Sequence, residues 1–235
     1  MPFAQVDDIT MYYEVHGSGV PLVLIPGLGS STRFFTVPIQ KLAERRQVVA
    51  VDPRGAGQSD KPTGDYSIEQ MAHDVAVLMD TLQIASADVL GYSMGGKVAL
   101  ALATTRPDLV DHLVLAVTAA RPAVTRRFSF RWLMMDVVSK IPLPKFVDDQ
   151  PSYALKAQRR ASESFDGRDL LPRVTARTLI VRARRDRVVS ASDTVELGAI
   201  PGSKLIDLPG GHITMMSLHM SDFVDAVCSF LDSTP

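Results

Sequence analysis

The sequence predicts an α/β fold: a mostly parallel central sheet with helices on both faces, interrupted by a short inserted helical cap. Three observations carry this. Short, near-continuous apolar runs alternate with helical patterns along most of the chain. Those runs lack the in–out alternation of a half-exposed strand, as expected of strands covered on both faces. The alternation then breaks once, between about residues 119 and 168, and resumes afterwards. Composition agrees: 235 residues, 46% hydrophobic and 22% charged, with 15 Gly and 15 Pro, suit one α/β core.

In chain order, FAQVDD and ITMYYEVHG alternate apolar and polar residues, as a hairpin at one sheet edge does. The apolar runs VPLVLIPG (20–27), QVVAVD (47–52), ADVLGY (87–92), LVLAVT (113–118), RTLIVRA (177–183) and KLIDLPG (204–210) follow as buried strands. Helical patterns cover 68–84, 95–107 and 221–233. Ser67 with Gln70 three residues on has the spacing of a capping box, so a helix is expected to start there. The predicted division is core 1–118, inserted cap 119–168 and core 169–235. Cys228, the only cysteine, falls on an apolar helix position and has no partner for an internal disulfide. With no apolar run long enough to span a bilayer and no signal-like opening, the expected setting is cytoplasmic, away from membranes.

Charge is balanced overall, 25 basic against 26 acidic residues, which argues against a general nucleic-acid binder. Its distribution is uneven. Residues 1–118 carry 8 Lys+Arg and 13 Asp+Glu, residues 119–187 carry 16 and 7, and residues 188–235 carry 1 and 6. The basic middle points to an anionic substrate; a solvated basic surface is the competing explanation.

Ser93 sits in GYSMG, between a strand and a helix. A sharp turn there lifts the hydroxyl above the carboxyl ends of the strands, and the flanking glycines let strand and helix pass closely. The Met94 amide then lies at a helix N-terminus, facing any oxyanion formed at Ser93. A serine needs a base. Of His16, His73, His112, His212 and His219, only His212 follows the last strand in a glycine loop, LPGGH, that can bring an imidazole to the strand ends. Asp186 and Asp52 both end strands. The order Ser…Asp…His favours Asp186 as the orienting acid, against a solvated charge in an Arg-rich loop. The glycine turn IPGLGSS offers the Leu28 amide as second oxyanion donor.

Together, the turn at 27–29, VDPRGAGQSD (51–60), GYSMGG (91–96), the strand and acid at 179–186 and GGH (210–212) stand in the order of the α/β-hydrolase superfamily, which the chain resembles. Its opening and YSIEQMAHDV are similar to 3-oxoadipate enol-lactonase-like members of the capped subgroup, which also holds small-ester and carbon–carbon bond hydrolases. The resemblance implies the α/β-hydrolase fold and a serine esterase or lactonase working through an acyl-enzyme without metal or organic cofactor. A small ester or lactone is the implied substrate. Carbon–carbon bond hydrolysis, perhydrolysis, and a ligand-binding or signalling module with little turnover are the alternatives. Serine at 93 argues against dehalogenase and epoxide-hydrolase chemistry, which needs a carboxylate nucleophile.

Two features depart from the family: Pro26 stands where many relatives have histidine, and the insert is short. Phe128, Trp132 and Met135, with Phe130, Leu133 and Met134, are the candidate pocket residues from that insert; packing of the cap is the competing role. A homodimer is the base-rate expectation for assembly.

Overall fold

A computed structural model describes residues 2–122 and 150–233. The hairpin of β1 (Phe3–Val6) and β2 (Ile9–His16) opens the sheet, followed by β3 (Pro21–Ile25), β4 (Gln47–Val51), β5 (Ala87–Tyr92), β6 (Val110–Ala116), β7 (Arg177–Ala183) and β8 (Lys204–Leu208). The strand order is β1-β2-β4-β3-β5-β6-β7-β8. The β1–β2 and β2–β4 pairs are antiparallel and the others parallel, so the expected fold class stands.

Except for edge strand β8, which is exposed to half-buried rather than buried as expected, the continuous apolar runs have the physical origin expected of them. Val23, Ile25, Val49, Val51, Val89, Leu113 and Leu115 face one layer, with α2 (Ile68–Thr81) and α3 (Met94–Thr105). Their neighbours Leu22, Leu24, Val48, Ala50, Leu90, Val114 and Ala116 face the other, with α1 (Thr36–Leu42) and the last helix. Successive side chains therefore enter different cores. Each fully buried aliphatic side chain contributes ~1.5–3 kcal/mol, so both faces are lined mainly by aliphatic residues.

Between β6 and β7 the described residues include α4 (Ser152–Ser164), which turns Ala154, Ala157, Gln158 and Ala161 inward. Alanines on that face let the helix sit close to the core. Then come α5 (Ala191–Glu196) and α6 (Met220–Asp232). Ser67 caps α2 as expected, its hydroxyl accepting from the Gln70 amide at 3.0 Å. The sequence pattern places the start of β6 too late. The strand begins at Val110, so His112 lies inside it rather than before it. Among the described residues no helix is long and apolar enough to cross a membrane.

Candidate active site

Ser93 joins β5 to α3 with φ 55° and ψ −118°, a conformation that L-residues avoid. The turn is held by its own amide, which donates to the Ala116 carbonyl at 2.9 Å. The flanking glycines are required. A Cβ on Gly91 would lie 2.3 Å from the Gly95 carbonyl oxygen, and one on Gly95 would lie 2.1 Å from that of Ile25. Strand, turn and helix thus pack backbone against backbone.

His212 and Asp186 reach this turn from the two loops beyond β7 and β8. The Ser93 hydroxyl oxygen lies 2.8 Å from His212 Nε2, and His212 Nδ1 lies 2.8 Å from Asp186 Oδ2. The other Asp186 oxygen accepts from the Val188 and Val189 amides at 2.7 and 2.9 Å. A carboxylate only accepts, so it holds the imidazole proton on Nδ1 and leaves the Nε2 lone pair facing the Ser93 hydroxyl. The acid is nearly sealed, with its side chain 5% exposed against 13% for the imidazole.

Loop β8–α6 is fastened from two sides. The Arg185 amide donates to the Gly210 carbonyl, and Tyr92 donates its hydroxyl to the carbonyl of His212. Burial pushes the Tyr92 phenol far up, so it stays a donor. Tyr92 is not among the residues expected at the site, although it directly precedes Ser93 in the chain.

The glycine turn after β3 runs against the serine: a Cβ on Gly27 would come within 3.1 Å of the Ser93 Cβ. Ser30 closes the turn by donating to the Gly27 carbonyl at 3.1 Å, and Gly29 takes φ 68°. Among the described residues neither the Leu28 nor the Met94 amide meets an acceptor. Asp52, the rejected candidate acid, is used differently. Its carboxylate accepts from the Thr32 amide at 2.7 Å and the Gln58 amide at 2.8 Å, pinning the chain beyond the glycine turn. The other histidines pair away from Ser93: His16 with Glu14, His73 with Asp7, His112 with Asp88, and His219 with Asp222.

Two buried polar residues tie the stretch between β6 and β7 to this region, and neither was singled out in the sequence. Lys97 of α3 donates to the carbonyls of Arg121 and Ser162 at 3.0 and 2.6 Å, and burial pulls its ammonium down to about 8. Gln158 bonds to the glycine turn. Phe128, Trp132 and Met135 lie outside the described residues, as do Arg126, Arg127 and Arg131 of the basic insert. Among the described residues no group of three or more His, Cys, Asp and Glu is placed to hold a metal ion.

Comparison with known proteins agrees with this architecture. Residues 20–146 match the family model described as alpha/beta hydrolase fold. A putative carbamate hydrolase RutD from Azorhizobium caulinodans is 28% identical over 90% of this chain and 91% of its own length. Its counterpart from Pseudomonas savastanoi is 30% identical over 86% and 92%. Among solved structures, the enol-lactonase of Burkholderia xenovorans superposes with a TM-score of 0.88 at 27% identity, covering 99% of this chain and 100% of that one. The esterase EaEST of Exiguobacterium antarcticum gives 0.88 at 27%, covering 98% and 99%. With its sheet, its strained strand–turn–helix serine and these matches in agreement, the chain belongs to the α/β-hydrolase fold family and is an enzyme of that fold.

Proposed function

We propose that the chain is a serine hydrolase that cleaves a small carboxylic ester or lactone through an acyl-enzyme. The observation that carries this reading is the unbroken line from Ser93 Oγ through His212 to Asp186, 2.8 Å at each step, mounted on a strained turn. Ser93 attacks the substrate carbonyl as His212 Nε2 takes its proton, and Asp186 stabilises the imidazolium. The Leu28 and Met94 amides receive the developing oxyanion. His212 then passes the proton to the leaving alkoxide, and the acyl group stays on Ser93. In the second half, His212 draws a proton from water, the hydroxide adds to the acyl carbonyl, and the acid departs as Ser93 recovers its proton.

The carbamate carbonyl named in the RutD relatives and the lactone carbonyl named in the structural neighbour both admit this addition, so the carbonyl chemistry is shared and the leaving group sets the substrate. The test is intact mass after exposure to a small fluorophosphonate. One adduct is expected on the wild type and none on Ser93→Ala, followed by turnover of members of an ester, lactone and carbamate panel. A folded wild type that takes no adduct and turns over nothing in the panel overturns the reading in favour of a ligand-binding module. The rate is expected to rise as pH is raised through the range in which imidazoles lose their proton; a flat profile there removes His212 as base.

A further inference from the structure

Gln158 comes from α4, in the stretch between β6 and β7, and is fully buried. Both ends of its amide are committed to backbone. Oε1 accepts the Gly29 N–H at 3.0 Å, and Nε2 donates to the Arg54 carbonyl at 2.8 Å. The amide has one orientation: reversed, it would set its NH2 against an N–H and its oxygen against a carbonyl. Its anchor is rigid as well. Arg54 is buried and holds both oxygens of Asp74 at 2.7 Å, with Asp8 at 2.9 Å. A continuous chain of bonds therefore runs from α2 through Arg54 and Gln158 to the glycine turn beside Ser93.

That turn spans Gly27 to Ser30, with Gly29 at its third position and φ 68°, where a type II turn takes glycine. The peptide between Leu28 and Gly29 is the central peptide of that turn, and its N–H, one residue beyond the Leu28 N–H, is the group Gln158 holds. We propose that Gln158 is a positioning residue for catalysis: by tying the Gly29 N–H to the Arg54 carbonyl, it fixes the place of the turn on which the Leu28 amide is mounted. This rests on the reading of Leu28 as an oxyanion donor. It makes α4 a working part of the catalytic geometry.

The test is a pH–rate profile with p-nitrophenyl acetate for wild type, Gln158→Leu, Gln158→Glu and Ser93→Ala. For Gln158→Leu, kcat on the plateau is expected to fall about tenfold to a hundredfold, up to the loss seen when an oxyanion donor is removed. KM should stay within about threefold and the rising limb should not move, since the Ser93–His212 pair is untouched. Gln158→Glu separates positioning from bulk. Its neutral carboxyl can still donate to Arg54 and accept from Gly29, whereas its carboxylate faces the Arg54 carbonyl with no donor. Its rate should therefore fall with rising pH where the wild-type rate climbs. A folded Gln158→Leu within about twofold of wild-type kcat overturns the proposal, given an inactive Ser93→Ala. Should Gln158→Leu fail to fold, a Gln158→Glu profile parallel to the wild type overturns it and a descending limb supports it. Full activity in Ser93→Ala would instead bring down the serine-hydrolase reading itself.

Discussion

Two of the aspartate–histidine pairs among the described residues lie at opposite ends of the sheet. At the carboxyl end His212 meets Asp186 at 2.8 Å; at the amino end His112 meets Asp88 at 2.7 Å. Both acids are buried, with side chains 5% and 2% exposed. What differs is the surroundings. The Asp186 oxygens receive two loop amides and an imidazole whose far nitrogen touches a serine hydroxyl. Asp88 has Arg46 at 3.4 Å on its other oxygen, and the His112 ring lies edge-on to Phe230. An acid and an imidazole in contact are therefore no site by themselves. Under the proposed function, the strained serine and the amides beside it set one pair apart, and the other pair ties strands β5 and β6 together.

The sharpest way to break this contrast is to remove each imidazole. His212→Ala is expected to cut kcat by roughly 10⁴–10⁶-fold with little change in stability. His112→Ala should leave kcat within about twofold and lower stability by ~2 kcal/mol, because buried Asp88 loses its hydrogen bond. Equal kinetic losses would mean that the amino-end pair also serves the reaction.

Removing the acid charges comes next. Asp186→Asn should lower kcat by about 10⁴-fold through the wrong imidazole tautomer, whereas Asp88→Asn should act on stability alone. The pH dependence of that stability has a definite sign. Burial pushes the Asp88 carboxyl up, against the pull of His112. A carboxyl that keeps its proton longer folded than unfolded makes the fold less stable as pH climbs from about 4 through its raised value. Asp88→Asn lacks that slope. The advantage of the wild type over it in urea unfolding should therefore shrink as pH rises through this window, and an advantage that grows would refute the assignment.

Both pairs were within reach of the sequence, but only one stood out. His212 follows glycines after a strand and Asp186 follows the strand before it, so turn chemistry and chain order separated them from the rest. His112 was placed outside β6 because LVLAVT is the more apolar half of that strand, although Val110 already pairs with Ala87. Gln158 shows where local reasoning stops. It sits among alanines at 154, 157 and 161, a small-residue helix face interrupted by one amide, which marks a close approach. What it approaches is 129 residues away, and no periodicity reports that. Asp52 was legible as a strand-end acid but not as a clamp on Thr32 and Gln58, since both roles place a carboxylate at the same spot.

The smallest effect tests why the serine end differs at the level of backbone. Ser93 has φ 55° and ψ −118°, the mirror image of an extended conformation, open to glycine and strained for any side chain. Such strain stores ~1–3 kcal/mol, whereas glycine in a regular element loses ~0.5–1 kcal/mol to alanine through chain entropy. At position 93 the usual ranking should reverse. Ser93→Gly is expected to be ~1 kcal/mol more stable than Ser93→Ala in urea unfolding, both being inactive. At His112, within β6, the glycine variant should be the less stable of the pair by ~0.5–1 kcal/mol. If glycine also loses at position 93, the turn holds no strain, and the contrast between the two ends of the sheet reduces to which hydroxyl lies within reach of an imidazole.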